Sequence, residues 1–374
     1  MKTPTKLAAL LLLFTINPQL STVFAQGSLT PPGAPAPTMK TLDQIEARTP
    51  IDSAHTPGDA NNLFVITNAG SYYLTGNITG VSGKNGISIN ADNVTLDLNG
   101  FALVGVVGTL DGITVPTLHR NLRVYNGSVD FWYGSGIDCG NSANSQFEHL
   151  RVSQNNGYGL NCGSGSVLNS CSADDNGYQG LRTGDLSTLN GCTSADNGFD
   201  GIYTGVSCTI TACNSSGNLS PYAGFQINSD CTIIGCSARD NSYGIQASDH
   251  CTIKDCTANW NGEDGITTTF GTLIVNCTAG FNTGDGIACT YDCLISGNTV
   301  TDDLNGIAIH GSLNRIDGNT ANHNAHAGIL WVNDVVIRNS AFLNGTANYS
   351  PAVGTGNTGP LNAASTSTSP WANF

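Results

Sequence analysis

The chain has 374 residues, of which 46 are glycine, only 11% are charged and two are methionine. Lys, Glu and Met are scarce beside Thr, Ile, Val, Asn and Gly, a balance that favours strands and turns over helices. The formal net charge of -14 excludes nucleic acid as the natural partner, because phosphate would be repelled.

At the N-terminus, Lys2 and Lys6 precede an apolar stretch from Leu7 to Ile16 and the small-residue site Val23-Phe24-Ala25. This order predicts a secretory signal over residues 1–25, cleaved near Ala25. The apolar run is too short for a membrane span and no later stretch approaches eighteen apolar residues. The expected location is therefore secreted, periplasmic or cell-surface. Residues 26–38 are Pro-rich and read as a linker. Residues 39–84 are expected to form an N-terminal cap, with Leu42–Glu46 as a short helix followed by the strand-like runs 63–66 and 71–74.

From residue 85 the sequence repeats. Gly followed by Ile, Leu or Phe recurs at 86, 112, 136, 159, 180, 201, 224, 244, 265, 286, 306 and 328, with spacings that begin at 26, 24 and 23 and settle between 20 and 23. A period in this range signals a solenoid. The apolar residues lack helical spacing and the frame of a leucine-rich repeat, which leaves a parallel β-helix over residues 85–345. About twelve rungs at about 4.8 Å each would make a rod of about 55–60 Å.

Alignment on the opening Gly sorts the remaining residues into columns. Cys171, Cys192, Cys213, Cys236, Cys256 and Cys277 lie twelve residues on, Cys208, Cys231, Cys251 and Cys293 seven, and Cys139, Cys162 and Cys289 three. Asn176, Asn197, Asn218, Asn241, Asn261 and Asn282 lie at seventeen, with Asp303 continuing the line. The Asn column predicts a ladder of amides bonded from rung to rung. The cysteines read as small apolar core fillers with free thiols, since stacked Cβ vectors suit a disulfide dihedral poorly. After Asn344 the period ends, and residues 346–374 are expected to be a loose tail whose terminal aromatics fold back on the last rung.

The Gly-Ile…Cys-Thr-Ile…Asn rungs and the opening Val94-Thr95-Leu96-Asp97-Leu98-Asn99-Gly100 resemble the right-handed parallel β-helix proteins of the pectin-lyase-like superfamily, in particular exported bacterial β-helix-repeat proteins of unassigned function. The resemblance covers about residues 60–345 and implies the fold; enzymes of the superfamily cleave or epimerise uronate polymers. Polygalacturonase-like members carry Asn-Thr-Asp, paired Asp, Gly-His-Gly and Arg-Ile-Lys. The nearest matches here are Arg315-Ile316-Asp317 and Asp302-Asp303, the latter reaching into the Asn column. The Asp-Pro-His of mannuronan epimerase-like members is absent, as is any Asp-Pro.

Function is then expected in the positions that the repeat leaves free. The residue two after each Gly should point outward: Asp138, Asn161, Arg182, Tyr203, Gln226, Gln246 and Thr267. Beside them run Tyr158, Tyr178, Phe199, Tyr222 and Tyr243, then the acids Asp200, Glu263, Asp264 and Asp285. Rings that stack on a sugar face beside planar polar groups suit a polysaccharide, and Asn161, Arg182, Tyr203, Tyr222, Gln226, Tyr243 and Gln246 are the expected contacts. The leading expectation is an exported scaffold that contacts extracellular polysaccharide or the cell surface along its long face, without turnover. The alternative, which the resemblance implies, is a pectate-lyase-like lyase or glycoside hydrolase acting on uronate polymers and using Asp264 with Asp285, or Asp200 with Arg182. No cofactor is expected, calcium at Glu263, Asp264 and Asp285 being the one ion considered. His310, His323 and His326 are expected to be single exposed histidines rather than a metal set.

Overall fold

The computed structural model describes residues 47–351, 358–361 and 368–374. The expected signal, linker and short helix at Leu42–Glu46 lie outside these residues. Every regular element described is a strand, and the strands pair in parallel with the equivalent strand one rung on. Three walls result. One is a continuous 14-stranded sheet from Asn62–Ile66 to Ala347–Pro351. The other two merge into a 25-stranded sheet because Arg123–Asp130 and Gln146–Ser153 run unbroken through the corner between them. Fourteen rungs at about 4.8 Å give a rod of roughly 60 Å.

The inward residues explain the cross-section. The first wall contributes Ile202, Phe225, Ile245 and Ile266, and the second Leu189, Ile210, Ile233 and Ile253, all fully buried. The third contributes Ala173, Ser194, Ser215 and Ala238. Small residues let the third wall approach the start of the next first-wall strand. That approach is why each phrase opens on Gly: a Cβ on Gly265 would meet Asn282 Nδ2 and the Gly286 carbonyl, both at 2.7 Å.

Each corner is made the same way. A residue with left-handed φ turns the chain, and the next side chain points in to accept the backbone N–H of its counterpart one rung earlier. Asp196 has φ 51° and Asn197 follows; Asn176 donates to Asn197 Oδ1 from its backbone N at 3.1 Å and its Nδ2 at 3.0 Å. Among the described residues, no non-glycine residue with left-handed φ is Val, Ile or Thr, the types for which that conformation is most costly. The Asn column thus forms the expected ladder, from Asn155 through Asn282, Asp303 and Asn324 to Asn344 and Asn348.

The cysteines differ from the expectation in one respect. All thirteen are buried and free, but those at seven and twelve are ladder members rather than apolar fillers. Cys208 N donates to Cys231 Sγ at 3.2 Å and Cys213 N to Cys236 Sγ at 3.4 Å. Their columns hold other acceptors in other rungs: Ser187 before Cys208, Asn314 after Cys293, and Asn298, Asn319 and Asn339 after Cys277. Burial pushes the Cys162 thiol up to about 12 and the Cys251 thiol up to about 11, so both are protonated at neutral pH. A sulfur acceptor should be replaceable by oxygen but not by hydrocarbon. Cys231→Ser is therefore expected to cost within about 1.5 kcal/mol, while Cys231→Val strands the Cys208 N–H and costs roughly 1–3 kcal/mol more. Denaturant unfolding of both variants checks the order, and a pure filler would reverse it.

Regular pairing begins earlier than residue 85. Asn62–Ile66, Gly70–Tyr73 and Ile78–Thr79 pair with Asn85–Ile89, Val94–Asp97 and Ala102–Val104, so much of the expected cap is itself the first rung. At the other end, Ala347–Pro351 adds the last strand of the first wall. Residues 368–374 return to the second and third walls. Asn373, fully buried, takes the ladder place after Asn339 by accepting from its N at 2.9 Å and its Nδ2 at 3.1 Å. The Phe374 carbonyl accepts from Ala341 N and Tyr349 Oη. Trp371 and Phe374 keep their rings exposed. Among the described residues of the terminal segment, an amide and backbone groups rather than the expected rings meet the last rung.

Candidate functional site

Parallel pairing of the first wall puts its outward residues in one registered row: Ser88, Thr114, Asp138, Asn161, Arg182, Tyr203, Gln226, Gln246 and Thr267. The row then becomes Ala288, Ala308 and Leu330, so its polar part ends at Thr267. The expected contacts Asn161, Arg182, Tyr203, Gln226 and Gln246 are thus neighbours at rung spacing. Asn161 is nearly buried and donates from Nδ2 to Asp138 Oδ1 at 2.8 Å. The Arg182 guanidinium stands 5.4 Å from the Tyr158 ring centre and 5.6 Å from that of Tyr203, held by attraction to the π faces. A hollow of about 180 Å³ opens beside it, between Asn161, Ser164, Arg182 and the glycines of three successive rungs. A side chain on Gly163 would overlap the Ser142 carbonyl, so the close approach of the neighbouring rung requires glycine here.

The turn aromatics form a column of their own. Tyr178 lies 5.5 Å from Tyr158, Phe199 5.1 Å from Tyr178, and Tyr222 4.3 Å from Phe199, the last pair stacked. Much of each ring is used on its neighbours, while Tyr178 keeps about half its surface exposed. Tyr243 is half-buried, and burial raises its hydroxyl's pKa.

The acids preceding the Gly column also serve the backbone. Asp200 Oδ1 accepts from Ala223 N at 3.0 Å, Asp264 Oδ1 from Asp285 N at 2.8 Å, and Asp285 Oδ1 from Asn305 N and Nδ2 at 3.2 and 2.7 Å. Burial raises the carboxyls of Asp200 and Asp264 above the usual range. Asp264 and Asp285 are adjacent in the column, and His310 Nε2 lies 3.5 Å from Asp285 Oδ2. Glu263 is exposed. Asp200 Oδ2 faces Gln179 Nε2 at 3.4 Å, and Arg182 pairs with rings rather than with Asp200. His323 lies against Phe342, away from the His310–Asp285 contact. Among the described residues no three His, Cys, Asp or Glu converge as a metal site.

The same row leads to a cleft the outward-residue pattern did not reveal. Its floor is Ser88 and Thr114, and its sides carry Asn61, Asn62, Asn85, Asn90, Asp111 and Tyr133. Asn85 and Asp111 stand directly before Gly86 and Gly112, in the column that holds Asp200, Asp264 and Asp285 in later rungs.

Residues 223–359 match the model of the right handed beta helix region. The A-module of mannuronan C-5 epimerase AlgE4 from Azotobacter vinelandii aligns over 79% of this chain and 91% of its own, at 16% identity and a TM-score of 0.52. The chain is a right-handed parallel β-helix. Other solved β-helices align less closely: the periplasmic alginate epimerase AlgG over 82% of this chain and 81% of its own (13% identity, TM-score 0.43), and PfbA, a surface adhesin of Streptococcus pneumoniae, over 79% and 84% (11%, 0.34). No curated protein sequence matches the β-helix. At these identities the likeness is one of fold, and the β-helix carries no Asp-Pro pair.

Proposed function

We propose that this β-helix is an exported scaffold that contacts extracellular polysaccharide along the outward row of its first wall, without turnover. The observation that carries the reading is the registered series Asn161, Arg182, Tyr203, Gln226 and Gln246, with Arg182 held between two tyrosine rings. Planar amides, a guanidinium and aromatic faces repeated every rung match a ligand that itself repeats. The AlgE4 module, similar in fold, is by its name an enzyme of a polysaccharide. Export rests on the charged start, the apolar stretch and the small-residue site of residues 1–25.

A second reading, cleavage by Asp264 and Asp285, is favoured by their adjacency and by His310 beside Asp285. The committed hydrogen bonds of both carboxylates weigh against it. A glycan array separates the two. Binding without new reducing or unsaturated ends is expected, with an affinity loss of about tenfold or more in Arg182→Ala and Tyr203→Ala, the size of an aromatic or Arg anchor. New ends that disappear in Asp264→Asn, which retains the oxygen for Asp285 N, would establish the second reading instead.

A further inference from the structure

We propose that the cleft at the N-terminal end of the row is a subsite for an uncharged sugar residue, and that it rejects uronates. The cleft has a volume of about 490 Å³, within the roughly 300–1,000 Å³ of small-ligand sites. The inference rests on the polysaccharide reading of the row and adds the class of sugar and the place where it is gripped.

The cleft is rigid on one side and unsatisfied on the other. Asp59 accepts from Asn62 Nδ2, Asn62 Oδ1 accepts from Asn85 Nδ2 at 2.9 Å, Asn85 Oδ1 from Asp111 N at 2.9 Å, and Asp111 Oδ1 from Ser135 N at 2.7 Å. This chain of bonds runs across successive rungs and fixes the side wall. Ser88, itself buried, donates to Asn90 Oδ1 at 3.1 Å and so aims the Asn90 amide. Among the described residues, Asn90 Nδ2, Thr114 Oγ1, Tyr133 Oη and Asp111 Oδ2 make no hydrogen bond, and all four residues line the cleft. A sugar ring offers donors and acceptors to such a set, and a carboxylate oxygen is a strong acceptor for a hydroxyl. Tyr133, 59% exposed, supplies an aromatic ring to the cleft.

Charge selects the sugar. Among the described residues, no Lys, Arg or His lines the cleft. Asp111 is largely buried, and Asp138 lies one rung on from Thr114 in the row. Burial and the charge of Asp138 both raise the Asp111 carboxyl, and a uronate carboxylate brought beside these two would add a third negative charge, while the Lys84 ammonium is committed to the Asp59 carbonyl at 2.5 Å and does not line the cleft. A neutral hexose or pentose meets no such cost.

The test is isothermal titration of the full chain with cellohexaose, xylohexaose and mannohexaose, against hexagalacturonate and hexamannuronate. Tyr133→Ala, Asn90→Ala and Asp111→Asn are compared with wild type and with Tyr203→Ala. Asp111→Asn retains the oxygen that Ser135 N needs and Tyr133 is exposed, so both variants should fold, as thermal unfolding will show. At least one neutral hexasaccharide is expected to bind, about tenfold or more weakly in Tyr133→Ala, and Asp111→Asn is expected to narrow the preference over uronates. If wild type binds only uronates, the neutral assignment is overturned. If neutral binding falls in Tyr203→Ala but not in Tyr133→Ala or Asn90→Ala, the cleft is overturned while the row stands. If no oligosaccharide binds, the row and the cleft fall together.

Discussion

Asn197→Ala is expected to destabilise the β-helix by roughly 3–5 kcal/mol, far more than the same change at the half-buried Asn344. Asn197 is fully buried, and its Oδ1 receives both Asn176 N and Asn176 Nδ2. Its own Nδ2 donates to Ser194 Oγ at 2.9 Å and to Asn218 Oδ1 at 3.1 Å. Alanine keeps the Asn197 N–H bond to Asn218, yet leaves the Asn176 N–H without an acceptor in a region water does not reach. Asn344 sits near the end of the same ladder, and its Oδ1 receives Asn324 N and Asn324 Nδ2, both at 2.9 Å, at a half-buried position where water can replace a lost acceptor. Denaturant unfolding of the two variants measures the difference. In a solenoid each rung is stabilised mainly by its neighbours, so the central variant should also lose cooperativity, seen as a lower m-value or a second transition. Equal losses at the two positions would mean that the ladder adds little beyond the apolar core.

The period and the columns were legible in the sequence because each rung meets the same steric problem. Gly recurs where the third wall presses on the first, and Asn where a corner N–H needs an acceptor. The cysteines were harder to read. Thiol, hydroxyl and amide perform one task at these corners, so Cys277 and Asn298 share a column although their side chains look unrelated. The first and last rungs were also hard to place. Asn62–Ile66 joins the ladder without the Gly-Ile phrase, and Asn373 completes a column from a segment that has no period. The polar row could be read because strand alternation fixes which residues point outward. The cleft around Ser88 and Thr114 could not, since its walls combine turn residues from both ends of the first-wall strands, such as Asn90 and Tyr133, whose approach a repeat alignment does not show.

Asp303→Asn is expected to stabilise the protein by up to about 4 kcal/mol near pH 8 and to change little at pH 3. Asp303 stands in the Asn ladder, 2% exposed, and its Oδ1 does what Asn does by accepting from Asn282 N at 2.7 Å and Asn282 Nδ2 at 2.9 Å. Its Oδ2 occupies the place of an amide nitrogen and has no partner among the described residues. An amide there would donate to the next rung, as Asn282 Nδ2 does to Asp303 and Asn298 Nδ2 does to Asn319. A carboxylate has nothing to give, so burial pushes the acid up to about 7, with the charges of Asp302 and Asp285 adding to the shift. The ordinary value is 3.8. Below that value the acid is neutral in both folded and unfolded chains and costs nothing. As pH rises from 3.8 the unfolded chain ionises first, the folded state loses stability in step, and the loss is complete above about 7. Asparagine removes this pH dependence and supplies the missing donor to Asn324 Oδ1. Because other groups titrate identically in both proteins, the difference between the variant and wild type isolates position 303. Thermal unfolding from pH 3 to pH 8 should show curves that coincide at the acid end and diverge by about 6 °C at the alkaline end, from about 2.1 cal/mol/K of unfolding entropy per residue. A constant gap across that range would mean that the Asp303 Oδ2 proton is not what the rung lacks.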